Sequence, residues 1–476
     1  MNTSSRSADL KRMRTFKWHS KVPAYVSHPN GVPIVEHKLL RLFSEQGFDL
    51  DTDRDNKSVV DVDQLFSSLA RYHDESGIQR SDSLDQAISL AYSAFGGDGS
   101  LLPLTPEEAQ SAVKLEKSSG LPELTSKRDA LPKDFRRFQY FYRGNGRKQM
   151  PPCIAYHRVQ HGETGPKTRL VWGYPLSVTL LESVFARPLI DEFLVMRTPM
   201  AFGLRRSDLM ARTQGIENSN IRIGMDVSGF DASVKPYLIG VAFSILRTWF
   251  PEDEMIDKQW SLVQDYFIHT PILMPDGWVY RKHQGVPSGS YFTQLVDSIV
   301  NYILVQYSVI RARGESVNDR LILVLGDDSL IGMRDPIPLS DLVKYAKELG
   351  FTISLRKSEV SRFGEPYSFL GHHWDMGFPR RDLKELVKRS VYAERISGIP
   401  DGDVRRTTRL VGLSGDALEG SLLLKSYGFT PRQIFGSTLR MKLDRPLTGW
   451  QEQLSSHGDE SVPLSPFDYL AASLYK

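Results

Sequence analysis

The clearest pattern in the chain is an apolar run from Leu321 to Leu325, a break at Gly326-Asp327-Asp328, and a second apolar run, Leu330-Ile331-Gly332-Met333. Two short apolar segments around a tight polar break predict a buried β-hairpin with acids at its tip. The segment Ile221 to Val227 alternates in places, carries Asp226 near its end, and leads through Ser228-Gly229-Phe230-Asp231 into an apolar helical stretch from Pro236 to Phe250. That order predicts strand, turn, helix. A helix from Leu339 to Leu349 is stopped by Gly350, and Phe351 to Leu355 reads as a further strand before Arg356-Lys357. Leu102 to Lys133, with Pro103, Pro106, Pro122 and Pro132, reads as a connector after an N-terminal helical region. The last hundred residues read mostly as helices.

Composition narrows the picture. With 476 residues, 40% of them hydrophobic, the chain can bury a large core and divides into two to four domain-sized units. No apolar run reaches the roughly 18 to 20 residues of a membrane span, because the longest candidate, Ile299 to Ile310, is interrupted by Asn301 and Gln306. A soluble protein without a membrane span is expected. Cys153 is the only cysteine, which excludes intramolecular disulfides and cysteine-cluster zinc sites. A net charge of +3 does not announce a nucleic-acid binder. The N-terminus carries Arg6, Lys11, Arg12, Arg14, Lys17 and Lys21 against Asp9 alone, the pattern of a basic surface arm, with a mitochondrial presequence as the other reading. No solenoid repeat is present, and Gly96-Gly97-Asp98-Gly99-Ser100 lacks the lysine of a phosphate-binding P-loop.

The acids carry the candidate chemistry. Transfer of a nucleotide at its α-phosphate uses two divalent ions about 3.5 to 4 Å apart. Magnesium takes hard oxygen ligands, which carboxylates at adjacent strand ends supply. Asp226 and Asp327 are the candidates. Gly-Asp-Asp alone is equally what a solvated type I′ turn shows. Here it lies between apolar strands, about a hundred residues after an Asp-x-x-x-x-Asp at another strand end, and the combination is far more specific. Between them, Gly285-Val286-Pro287-Ser288-Gly289-Ser290 leads into a helix on which Thr293, Asp297 and Asn301 share one face. Small residues allow close approach to a sugar or phosphate, and a polar stripe can bond a ribose hydroxyl; a serine-capped helix facing water gives the same pattern. On an extended strand, Lys167 and Arg169 point to one side, where two cations can hold a triphosphate; a solvated edge strand gives the same pattern. Arg205-Arg206, Arg281-Lys282-His283 and Arg405-Arg406 are candidates for contacts with a phosphate backbone, though each alone also reads as a solvated patch. His372 and His373 make a weak metal signal, since neighbours on a strand diverge.

From about Lys167 to Trp374 the motifs resemble, in order, the palm of viral RNA-dependent RNA polymerases, most closely those of the partitivirus type with double-stranded RNA genomes. The resemblance rests on Gly-Met-Asp-Val-Ser-Gly-Phe-Asp, on Pro-Ser-Gly-Ser-Tyr-Phe-Thr-Gln-Leu-Val-Asp-Ser-Ile-Val-Asn and on Leu-Gly-Asp-Asp-Ser-Leu. It implies that Asp226 and Asp327 bind two Mg2+ ions, with Mn2+ able to substitute, and that Asp328 supports them. Asp231, with Ser288 and Gly289 at the start of the following helix and Thr293 on it, selects ribose. The same resemblance implies that Lys357, otherwise a surface lysine beside Arg356, is a general acid toward pyrophosphate, that Lys167 and Arg169 cover the incoming nucleotide, and that Phe369 to Trp374 steadies the primer end. Many relatives carry asparagine where this chain has Asp297, with Asn301 one turn later; Asn301 is expected to meet Asp231, because two carboxylates in contact repel unless one is protonated.

The resemblance further implies an α+β right hand of fingers, palm and helical thumb. The expected division is N-terminal region and fingers 1–215, palm 216–237, fingers insertion 238–284, palm 285–376 and thumb 377–476, with N-terminal residues closing fingers onto thumb. The implied partners are RNA template and product, ribonucleoside triphosphates and a viral capsid protein, in the virion interior or host cytoplasm. A reverse transcriptase, which usually carries an aromatic in place of Asp231, and a non-catalytic RNA- or capsid-binding virion protein are the rivals. The spacing does not choose between primed and de novo initiation.

Overall fold

A computed structural model describes residues 3–19, 35–51, 60–73, 76–115, 117–146, 149–162, 165–204, 206–392, 410, 413–414 and 419–428. At its centre is a four-stranded antiparallel sheet in the order Ile322–Leu325, Asp328–Met333, Ile221–Met225, Glu359–Arg362. Leu325 pairs with Asp328 and Met225 with Ser329, so Asp226 and the Gly326-Asp327 turn emerge at the same end. Every residue of Ile221–Met225 is buried. One face of the sheet, through Ile223, Met225, Val324 and Ile331, joins the main core. The other, through Leu323 and Leu330, packs on Tyr367, Phe369 and Trp374. Cover on both faces is the reason these strands read as continuous apolar runs rather than alternating ones.

Beneath the sheet runs the helix Thr293–Arg313, buried without interruption from Leu295 to Ile310. It packs against Asp82–Phe95, Pro236–Arg247 and Leu339–Glu348. The apolar run at 299–310 is therefore core, and among the described residues no helix is long and apolar enough to cross a membrane.

A second, five-stranded sheet has the order Arg14–Lys17, Trp278–Arg281, Pro271–Leu273, Cys153–Gly162, Gly165–Gly173. Its first strand comes from the basic N-terminus, where Arg14 lies 4.6 Å from the centre of the Trp278 ring and 3.6 Å from Asp276. This part of the expected surface arm is built into the sheet. Tyr367–Phe369, His372–Asp375 and Phe378–Arg380 form a meander. His372 bonds the carbonyl of Leu370 and His373 the Ser368 hydroxyl, and among the described residues no cluster of histidines, cysteines or acids is arranged as a metal cage.

Three sequence expectations are corrected. The stretch 102–133 contains the capped helix Pro106–Ser111 and the start of Lys127–Tyr142, because Pro106 occupies a helix-compatible first position behind Thr105 and Pro132 is tolerated inside the second helix. Residues 351–355 form a single bridge, Ile353 to Val227, rather than a strand. Lys282 cannot meet RNA: it is fully buried and donates to the carbonyls of Phe267, Ile268 and Gly285, closing the C-terminus of the helix Glu254–Ile268. Arg205, Arg405, Arg406 and most of 377–476 lie outside the described residues.

A separate apolar cluster joins the two ends of the chain. Leu39 and Phe43 from His37–Glu45 pack with Leu386 and Val387 from Leu383–Val391 and with Leu423 and Leu424 from Gly420–Tyr427.

Candidate active site

Asp226 follows a fully buried strand, and its main chain is held on both sides. Its N–H donates to Ser358 Oγ at 3.0 Å, and its carbonyl accepts from Ser354 N–H at 2.8 Å. These bonds bring Lys357 alongside, with Nζ 3.8 Å from Asp226 Oδ2. Across the sheet, Gly326 and Asp327 make the two-residue turn. Only Gly326 has positive φ, +62°, as in a II′ turn rather than the type I′ form. The helix Thr293–Arg313 supports the turn from below. Ser298 Oγ accepts from Gly326 N–H at 2.9 Å, and Asn301 Nδ2 donates to the carbonyls of Gly326 at 2.9 Å and Asp328 at 3.1 Å.

That geometry overturns the expectation that Asn301 meets Asp231. Its Nδ2 is engaged by the turn instead. Asp297 is the residue in electrostatic contact with Asp231, and burial, then Asp231 and Asp327, push its carboxyl well above the usual range. The two acids lie close enough for each to disfavour ionisation of the other, the charge cost expected of neighbouring buried carboxyls.

The other acids follow the same physics. Asp328 is pushed up to about 7 by burial and then by Asp327 and Asp226, against the pull of Lys357. Asp231 is pushed up to about 6 by burial and Asp327, opposed by Arg169. Asp327, open at the turn tip yet hemmed in by the cleft walls, is raised by burial and Asp226, with Arg169 and Lys357 opposing. Carboxylates that raise one another in this way are short of positive charge. The donor set, all hard oxygen, fits magnesium, which binds through one or two carboxylates plus substrate oxygens and water and needs no closed protein cage.

Cations line the opposite wall. Lys167 and Arg169 are both exposed while Thr168 between them is buried, as the alternation predicts. Thr168 is fixed by its Oγ1 accepting from Asp61 N–H at 2.9 Å and its N–H donating to Gln64 Oε1 at 2.7 Å. Burial lowers Lys167, as do Arg169, Arg71 and Lys357, while Asp226 opposes. Four like charges thus crowd one rim.

The loop 285–290 closes the site. Gly285 N–H donates to the Val234 carbonyl and Val286 N–H to that of Asp231, at 2.8 and 2.7 Å. Ser288 and Gly289 are exposed at the rim, where Ser288 Oγ lies 3.4 Å from Trp172 N. A Cβ on Gly289 would stand 1.8 Å from the Trp172 carbonyl oxygen, so only glycine fits. Thr293 Oγ1 donates to the Pro287 carbonyl at 2.7 Å and shapes the loop.

Residues 164–397 match the family model described as viral RNA-dependent RNA polymerase. This segment belongs to that family. Among curated proteins, the chain is 33% identical over 227 residues to the RNA-directed RNA polymerase of Cryptosporidium parvum virus 1, covering 45% of this chain and 42% of the relative. It is 32% identical over 146 residues to that of Atkinsonella hypoxylon virus, covering 28% and 22%. The match thus spans less than half the length of these relatives. Among solved structures, the RNA-dependent RNA polymerase of a human picorbirnavirus superposes with a TM-score of 0.70 at 17% identity, covering 98% of this chain and 95% of that one. The chain has the right-hand polymerase fold, an α+β arrangement in which an antiparallel four-stranded sheet and a mixed five-stranded sheet lie among helices.

Three residues that sequence reasoning missed also border the site. Glu182, buried in the helix Leu176–Val195, accepts from Ser290 Oγ at 2.7 Å and Tyr291 N–H at 3.0 Å, locking the far side of the loop. Arg71 joins the cationic rim beside Gly229, and Tyr72 packs on Trp172. Arg71 and Tyr72 carry no motif, and only their distance in space from the acids marks them.

Proposed function

We propose that this chain is an RNA-directed RNA polymerase that copies a viral double-stranded RNA genome in replication and transcription. The observation that carries the reading is the convergence of Asp226 and Asp327, at one end of neighbouring strand pairs, beneath Lys167 and Arg169. The 3′-hydroxyl oxygen of the growing RNA bonds to the α-phosphorus of a ribonucleoside triphosphate. The bond from that phosphorus to the β-phosphate oxygen breaks, pyrophosphate leaves, and the hydroxyl proton is lost.

Asp226, Asp327 and Asp328 would hold two Mg2+ ions, or Mn2+ in their place, which when bound lower the pKa of the attacking hydroxyl and neutralise charge on the leaving group. Lys167, Arg169 and Arg71 balance the triphosphate. Asp231, Ser288, Gly289 and Thr293 form the sugar side of the pocket, with Asp297 rather than Asn301 beside Asp231. Lys357 gives a proton to the departing pyrophosphate. Residues 1–215 and 238–284 act as fingers, 216–237 and 285–376 as palm and 377–476 as thumb. RNA template and product are the macromolecular ligands, a capsid protein is the partner, and the virion interior and host cytoplasm are the places of work.

Incorporation of labelled ribonucleotides on a single-stranded RNA template with magnesium tests this. Template-length product from the wild type and none from Asp327→Asn is expected. Equal labelling by both removes Asp327 from the site, and RNA binding without synthesis by the wild type favours a non-catalytic virion protein.

A further inference from the structure

Tyr72 ends the single turn Ala70–Tyr72 and is buried. Its main-chain carbonyl accepts from the N–H groups of His283 at 3.2 Å and Gln284 at 3.3 Å, and Gln284 Nε2 returns a bond to the Arg71 carbonyl at 3.1 Å. The Tyr72 hydroxyl donates to the Val286 carbonyl at 3.4 Å, and its ring meets Trp172 edge-on, with centres 5.2 Å apart. One residue of the N-terminal region thus touches both the strand that carries Lys167 and Arg169 and the loop that leads to Ser288.

Its relation to Gly285 is the most informative contact. Gly285 has φ +80°, and a Cβ there would lie 2.6 Å from Tyr72 Cδ1 and 2.7 Å from the Asp231 carbonyl oxygen. A side chain here would run into both the Tyr72 ring and the Asp231 main chain, so the glycine lets the two pack closely around the loop. The hydroxyl also stands within electrostatic reach of Asp231 and Asp297. Moving the ring would move the loop relative to Asp231, and a displacement of about 1 Å in a reacting site costs up to about a hundredfold in rate.

We propose that Tyr72 is a positioning residue for sugar selection: its ring, fixed between Trp172 and Gly285, sets the spacing between the Ser288 loop and Asp231, and with it the discrimination between a 2′-hydroxyl and a 2′-hydrogen. A site built to bond a hydroxyl rejects an analogue lacking it only while its polar groups stay aligned. The inference rests on the polymerase reading above.

The test compares kcat/KM for UTP and dUTP on an RNA template in the wild type, Tyr72→Phe, Tyr72→Leu and Gly285→Ala, with melting temperatures measured in parallel. Tyr72→Leu is expected to lower the UTP-to-dUTP ratio at least tenfold, mainly through KM for UTP. Tyr72→Phe, which keeps the ring, is expected to stay within about threefold of the wild type. Gly285→Ala presses on the same contact from the other side and is expected to lower the ratio as well, which covers the case in which Tyr72→Leu does not fold. Equal losses on both nucleotides, or an unchanged ratio in the folded variants, would overturn the role of Tyr72. Equilibrium binding of UTP and dUTP reads the same ratio without synthesis, so a wild type that makes no RNA defeats the polymerase reading while binding still decides the inference.

Discussion

Asn301 and Asp297 sit one helical turn apart on the same face, and their chemistry suggests opposite assignments from those the fold makes. An amide beside a carboxylate looks favourable, yet the Asn301 amide is the donor that two buried carbonyls in the Gly326–Asp328 turn require. Asp297 is left beside Asp231, where burial and the neighbouring acids push its carboxyl well above the usual range. Asn301→Ala should remove both bonds and cost about 1 to 3 kcal/mol of stability. Synthesis should slow because the Asp327 turn loses its support, while the preference for UTP over dUTP stays unchanged. Denaturant unfolding and the two-nucleotide comparison check this; a lost preference with stability intact would return Asn301 to the sugar pocket. The acids at 226, 327 and 328 were legible because each lies next in sequence to the strand that positions it. The partners of Asn301 were not, because they depend on which helix face the turn rests upon.

At the scale of elements, the hairpin and the strand before Asp226 were legible from apolar runs bounded by polar breaks, whereas the prolines at 106 and 132 hid two helices. Lys282 was read as a surface cation although three carbonyls bury it, since charge in a sequence looks the same whether solvated or paired. Glu182 carries a consequence for the contact between its helix and the loop at 290–291. Burial raises its carboxyl to about 8, with the bonds from Ser290 and Tyr291 and the charge of Lys127 opposing. In the unfolded chain a glutamate titrates near 4.3. Between these values the folded protein keeps a proton that the unfolded chain has lost, so this group makes stability fall as pH rises from about 4.3 to 8, by up to about 1.4 kcal/mol per pH unit. Above about 8 both states are ionised and the slope ends. Glu182→Gln should remove this contribution, leaving the variant closer to or above the wild type at pH 8.5 and below it at pH 5. Urea unfolding across that range measures it, and parallel profiles for the two proteins would show that Glu182 does not titrate in this window.

Across the whole molecule, the N-terminal region is woven into the rest rather than appended. Met13, Leu65, Leu69 and Tyr72 belong to the main core, Arg14–Lys17 extends the five-stranded sheet, and Leu39 and Phe43 share a cluster with residues beyond 380. Burial of a leucine or phenylalanine side chain contributes about 1.5 to 3 kcal/mol, so removing several at once exceeds the roughly 5 to 15 kcal/mol by which a domain is stable. A chain starting at residue 74 should therefore show no cooperative thermal transition by circular dichroism; a sharp transition would mean that the core stands without its N-terminal layer. By itself the sequence determined where the candidate acids lie, the strands that carry them, the alternation that exposes Lys167 and Arg169, and the family resemblance, because these are local patterns of period, charge and motif. Only the tertiary structure decided that Asp297 faces Asp231, that Lys282 is internal, that Glu182 locks the loop, and that Arg71 and Tyr72 border the site. Each depends on contacts between segments tens to hundreds of residues apart, and such contacts leave no local periodicity in the chain.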